Sequence, residues 1–195
     1  MIVRLQVSRS ARVVALVTAA GLLSVFLFLV VPRWFQPKAA PPAPEQVQAA
    51  TRKIHVTLFY VSPDGTRLVP IEREVAFGEG PVEQAKRIVE AQVAPPPPNT
   101  VSAVPPGTGL RSLYLLDGGR AYVDLTREVA SAHPGGSLNE TLTVYTIVEA
   151  LTANLPAVSS VQLLVDGHEV DTLAGHVDLR RPIHPDPAWI SHDTP

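Results

Sequence analysis

The stretch Leu116-Asp117-Gly118-Gly119-Arg120-Ala121-Tyr122-Val123-Asp124-Leu125, LDGGRAYVDL, decides how the middle of this chain folds. Leu113 and Leu115 lie on one face of an extended run before it, and Ala121, Val123 and Leu125 return on one face after it. Two β runs joined at Asp-Gly-Gly read as a hairpin, because glycine enters the backbone angles of a tight turn without a Cβ clash. A phosphate cradle would need the glycines to open a helix, with N–H groups converging on the anion. A strand follows instead, so the sequence reads as a turn, and Asp117 and Asp124 have no third ligand nearby.

Downstream, Leu138, Leu142, Tyr145, Val148, Leu151 and Leu155 recur at steps of three and four, an apolar helical stripe closed by Pro156. Ser137-Leu138-Asn139-Glu140 has the S-x-x-E pattern of a capping box at its start. Val161, Leu163 and Val165 then alternate as a strand, Asp166-Gly167-His168 turns, and Val170 to Leu173 reads as a short returning strand. Upstream, Ile54, Val56, Leu58 and Tyr60 form one strand face, Pro63-Asp64-Gly65-Thr66 turns, and Val69 to Phe77 returns. Pro70 in that second strand suits a sheet edge. Gly80-Pro81 opens a helix whose stripe is Val82, Ala85, Val89 and Val93, and Pro95 to Pro98 stops it. The order β-β-α-β-β-α-β-β predicts an α+β domain, a mainly antiparallel sheet with two helices packed against it.

The first fifty residues differ in kind. Val13 to Val31, VVALVTAAGLLSVFLFLVV, is uncharged and apolar. Nineteen helical residues span roughly 28 Å, close to the hydrocarbon thickness of a bilayer. A cleaved signal would have a shorter apolar region and a small-x-small site close behind it. Here Pro32, Arg33, Trp34 and Phe35 follow, so an uncleaved anchor is expected. Arg4, Arg9 and Arg12 before the span favour a cytoplasmic N-terminus. Residues 1–12 then lie in the cytoplasm, 13–31 cross the membrane, and 32–51 form a linker rich in proline and alanine. Residues 52–183 form an extracytoplasmic domain, with a tail at 184–195. In that tail, Trp189-Ile190 reads either as packed back on the sheet or as an exposed docking peptide.

Composition excludes several functions. The chain has no cysteine, which removes disulfides, thiolate catalysis, cysteine zinc sites and the acylated cysteine of a lipoprotein. Residues 51–195 hold eleven basic and seventeen acidic groups, a poor surface for nucleic acid. Ser137 cannot be a nucleophile elbow, since Asn139 stands where the second glycine belongs. The start of its helix, His133-Pro134-Gly135-Gly136-Ser137, reads as a loop with a weak anion site as the alternative. His168, His176, His184 and His192, with Asp178, Asp186 and Asp193, fall across a turn, loops and the tail, a poor zinc pattern. Asn139-Glu140-Thr141 is a glycosylation triplet by pattern only. The residues therefore predict no catalytic, cofactor or metal site.

The segments AVPPGTGLRSLYLLDGGRAYVDLTREV from Ala103 and HPGGSLNETLTVYTIVEALTANLPAVSSVQLLVDGHEVDTLAGHVDLRRPI from His133 resemble the GerM-type (GerMN) domain of bacterial sporulation and spore-germination proteins. The likeness covers about Lys53 to Ile183. It departs at Pro95 to Pro98, where the family has a shorter Gly-Pro linker, and in the apolar anchor, where several members carry a lipid-modified cysteine. The resemblance implies an extracytoplasmic protein that binds other envelope proteins and brings no catalytic residues with it. Binding of peptidoglycan or another envelope polysaccharide is a separate alternative, although the chain has only 6% aromatic residues to line a glycan groove. A metal-dependent envelope hydrolase using Asp117, Asp124 and the late histidines is the more distant alternative. By an edge-strand argument, the partner is expected to engage Asp166 to Ile183, with Thr172 on the exposed edge.

Overall fold

The computed structural model describes residues 52–191. The predicted transmembrane helix at 13–31, the N-terminus, the linker, and His192 and Asp193 lie outside the described residues. Among the described residues no helix is long and apolar enough to cross a membrane.

The chain runs β1 (Lys53–Val61), β2 (Leu68–Ala76), α1 (Pro81–Val93), β3 (Leu110–Leu116), β4 (Arg120–Leu125), a short α2 (Glu128–Ser131), α3 (Ser137–Asn154), β5 (Ser160–Val165) and β6 (His168–Glu169). The α+β class and the two principal helices match the sequence reading. The sheet is divided, however. β1 and β2 form an antiparallel hairpin of their own, while β3-β4-β5-β6 form a second sheet in which β4 and β5 run parallel. The parallel pair follows from the long passage through α2 and α3, which carries the chain back to the end of the sheet from which β4 began.

Helices α1 and α3 lie between the two sheets. From α1, Ala85 and Val89 join the larger core against β4 and β5, while Ile88 joins the smaller core against β1 and β2. From α3, Val144, Ile147, Val148 and Leu151 face the larger core, and Leu142 and Ala150 face the smaller. The stripe read from the sequence captured only part of this, because α3 is buried on two sides. Leu138, predicted to belong to it, is exposed.

The free edge of β1 is closed by side chains. Gln92 of α1 accepts from Phe59 N at 2.9 Å and donates to Phe59 O at 2.8 Å. Asn154 of α3 does the same for Thr57, at 2.8 and 2.7 Å, and Val61 N donates to Val101 O at 2.8 Å. Backbone groups that would otherwise invite another strand are satisfied inside the domain.

Asp117-Gly118-Gly119 is a turn, as the sequence predicts, with φ of 87° at Gly118 and 79° at Gly119. Gly119 O accepts from Ser159 N at 2.7 Å, tying the turn to the approach to β5. A Cβ at Gly119 would come within 2.7 Å of Ala157 O. The tail packs back on the hairpin. Ile190 bridges Leu68, Ser191 N donates to Leu68 O at 2.7 Å, and the Trp189 ring lies 5.8 Å from that of Tyr145.

Candidate functional site

The predicted strand Val170 to Leu173 does not form. β6 ends at Glu169, and the chain from Val170 to Pro182 runs as an irregular loop. The cause lies in α3. Gly136, at φ 89°, takes the N-cap position, so Ser137 is already the first helical residue and no side chain caps the helix. Glu140, released from the predicted capping box, is fully buried and points to the loop. Its Oε1 accepts from Leu173 N at 2.8 Å and Ala174 N at 2.9 Å; its Oε2 accepts from His176 N at 2.8 Å and lies 3.1 Å from His176 Nδ1. Donors that a strand ladder would use converge on one carboxylate. The edge-strand role of Thr172 falls with the strand, and its Oγ1 accepts from Gly175 N at 2.9 Å.

Burial pushes the Glu140 carboxyl up, but the N–H groups of Ala174, His176, Leu173 and Val177 outweigh it, and the net direction is down. Glu140 is therefore ionised at neutral pH, with His176 as an ion-pair partner when that ring is protonated. His133 lies near Glu140, in the loop before α3. Gly135 N donates to His133 Nδ1 at 2.9 Å, so the proton sits on Nε2, 3.2 Å from Thr143 Oγ1. Burial lowers the His133 pKa, in keeping with that neutral form. With Gly135 N engaged in this way, the anion-site alternative at the start of α3 loses one of its donors.

The loop is fixed at both ends. At its start, Asp166 and Gly167 both have positive φ, 50° and 82°, and close a two-residue turn. Asp124, nearly buried, accepts from Gly167 N at 2.7 Å and pairs with Arg111 at 3.1 Å. Arg111 reaches on to Asp166 at 2.9 Å. At its end, Gln162 Nε2 donates to Leu179 O at 2.6 Å, and Ile183 pairs with Val161. Leu173 and Leu179 are buried, while Asp171, Gly175, His176, Asp178 and Arg180 face solvent. The arrangement is a shaped polar surface on a rigid base.

Asp117 stands exposed in the β3–β4 turn and does not share a site with Asp124. His168 is exposed on β6, and His184 Nδ1 donates to Ser159 O at 2.9 Å. Among the described residues no three of His, Asp and Glu converge as a metal set. Sequence reasoning missed Glu140 because the capping-box pattern accounted for it locally, whereas its partners lie 33 to 36 residues away.

A hairpin, a mixed four-stranded sheet and two buried helices define an α+β fold with its most elaborate loop after the last strand. The chain belongs to the Germane family, described as "Sporulation and spore germination", which it matches over residues 57–171, more than half its length. None of the curated proteins matches it. Among solved structures, it is similar to the first GerMN domain of the sporulation protein GerM from Bacillus subtilis, at 18% identity and a TM-score of 0.50, covering 68% of this chain and 96% of that one. The tandem GerMN domains of the same protein give 16% identity and a TM-score of 0.51, covering 69% of this chain and 46% of that one. A candidate lipoprotein of Clostridium perfringens gives 22% identity and a TM-score of 0.49, covering 68% and 87%. At these identities the structures speak for the fold alone.

Proposed function

We propose that this chain is a non-catalytic adaptor of the bacterial cell envelope, held at the cytoplasmic membrane by residues 13–31, whose extracytoplasmic domain binds a partner protein. The observation that carries the reading is the loop fastened by Glu140. A buried carboxylate is committed to holding an irregular surface segment in one shape, and a loop ordered in advance loses less entropy on binding. Side chains that the sequence offers for chemistry are engaged in the same fastening: Asp124 on Gly167, His176 on Glu140, His184 on Ser159. Family membership supports a sporulation or germination setting.

A photo-crosslinking residue at Asp171 or Asp178 in the native cell should give a discrete protein adduct, and one at Glu72 on β2 should not. Adducts from Glu72 alone would overturn the assignment. Protease added to intact spheroplasts should remove the domain; its survival until lysis would contradict the topology.

A glycan ligand has one observation in its favour: Tyr114, 58% exposed, pairs across strands with Tyr122 on the outer sheet face. Aromatic rings there suit sugar stacking. Retention on purified cell wall, lost in Tyr114→Ala, would favour that reading over the adaptor.

A further inference from the structure

We propose that the cleft between the β3–β4 turn and the Arg181–His184 segment binds a phosphate group. The cleft has a volume of about 420 Å³ and is lined by Asp117, Gly118, Arg120, Ser159, Ser160, Arg181, Pro182 and His184. Its basic groups come from separate parts of the chain that the fold brings together. Arg120 opens β4 and stands in register with Ser160 of the parallel strand β5, so the guanidinium and the hydroxyl share one face. The Val161–Ile183 pair brings Arg181 and His184 alongside the start of β5.

The anchoring of this cleft is firm. Gly119 O accepts from Ser159 N, from Ser160 N at 3.2 Å and from Ser159 Oγ at 3.2 Å, so turn and strand cannot move apart independently. His184 donates through Nδ1 to Ser159 O, which leaves Nε2 directed elsewhere and able to donate when the ring is protonated.

Charge supports the assignment. Arg111, Arg127 and Arg180 are each paired with a carboxylate. Among the described residues neither Arg120 nor Arg181 has a carboxylate within ion-pair distance, though Arg181 acts at longer range on Asp178, and both are exposed. Asp117 on the rim is the one opposing charge, so the lining is net positive with His184 neutral and more so with it protonated. Two guanidiniums, the Ser160 hydroxyl and, when the ring is protonated, His184 Nε2 supply donors that suit the several acceptor oxygens of a phosphate, while the Ser159 hydroxyl is used on Gly119 O. The glycines of the turn are not the cradle; they hold the arginine in place.

The proposal does not rest on the adaptor reading, and its test uses a different ligand. Full-length protein in detergent micelles is titrated with inorganic phosphate and, separately, with bis(glycerol) phosphate, following the backbone amides of Gly118, Gly119, Ser159 and Ser160 by NMR. Chloride and acetate at matched ionic strength serve as comparisons. Saturable shifts with either phosphate probe are expected, and which probe acts tells free phosphate from an ester-linked one. Arg120→Gln and Arg181→Gln should each weaken binding by about twofold to fivefold, the range for exposed charge pairs. The double variant should lose saturation while the amides of the larger core keep their positions. Equal shifts with chloride, acetate binding as tight as phosphate, or unchanged affinity in the folded double variant would each overturn the proposal.

Discussion

Glu140 and His176 meet twice: the buried carboxylate accepts from the His176 backbone N–H at 2.8 Å and lies 3.1 Å from its ring Nδ1. With Leu173 N and Ala174 N on the other oxygen, removal of the carboxylate would leave three backbone donors to find new partners. Glu140→Ala should therefore cost about 3 kcal/mol, the sum of a lost charge-assisted network and newly unsatisfied groups. Chemical denaturation followed by fluorescence of Trp189 checks this. The folded-state pKa of Glu140 lies below its ordinary value of 4.5, so its contribution is complete above that value and is lost as pH falls below it. Glu140→Gln should flatten the acid limb of the stability curve; an acid limb as steep as the wild type's would assign it to other carboxylates.

Gly118 and Gly119 separate two meanings of a turn glycine. Both have positive φ, but a Cβ at Gly118 meets open space, whereas at Gly119 it meets Ala157 O at 2.7 Å and Ser159 Oγ at 2.8 Å. Gly118→Ala should cost about 1 kcal/mol from backbone strain alone. Gly119→Ala should cost about 2 kcal/mol more, because the β5 approach must also move. Equal melting temperatures for the two variants would show that the turn yields without disturbing β5.

Much of the fold was legible where its causes are local. Asp117-Gly118-Gly119 and Asp166-Gly167 announce their turns because only a few residues tolerate positive φ. Pro81 and Pro95 mark the limits of α1 for equally local reasons. Strand direction was not legible: the alternation Val161, Leu163, Val165 is the same whether β5 runs parallel or antiparallel to β4. The passage from Thr126 to Ser159 was the available signal, since a parallel return needs a long crossover. The burial of α3 on two sides was hidden by Thr143 and Thr146, polar residues that the core encloses. The candidate site was the least legible part. Ser137 to Glu140 fits a capping box, and only the distant loop Leu173–His176 shows why the carboxylate goes elsewhere.

Closure of the β1 edge by amide side chains yields a third prediction. Gln92→Leu keeps the volume but leaves Phe59 N and Phe59 O without their partner at a buried site. A cost of about 2 kcal/mol is expected. Asn154→Leu should cost somewhat less, because Thr57 is only partly buried and water can replace the lost bonds. Amide hydrogen exchange should locate the effect: Phe59 N is expected to lose protection in the first variant and Thr57 N in the second. Unchanged protection at both would mean that the hairpin holds its edge without the amides.

Glu149 makes the opposite case to Glu140. It is nearly buried, and its Oε1 accepts one bond, from Asp186 N at 2.8 Å. Burial raises its pKa above the ordinary 4.5, the Asp186 N–H lowers it, and the charge of Asp186 raises it further. A raised carboxyl binds a proton in the folded state at a pH where the unfolded chain has released it, so stability falls as pH rises from 4.5 through the raised value. Glu149→Gln removes the charge and keeps an oxygen to accept from Asp186 N. That variant should be at least as stable as wild type at neutral pH, by up to about 1 kcal/mol, and should match it in acid where both are neutral. The packing of Trp189 on Tyr145 reports whether the tail stays in place, because Asp186 precedes the turn that presents the ring. Loss of stability at neutral pH, with the Trp189 fluorescence shifted to that of an exposed indole, would show that the ionised form of Glu149 is what holds the tail.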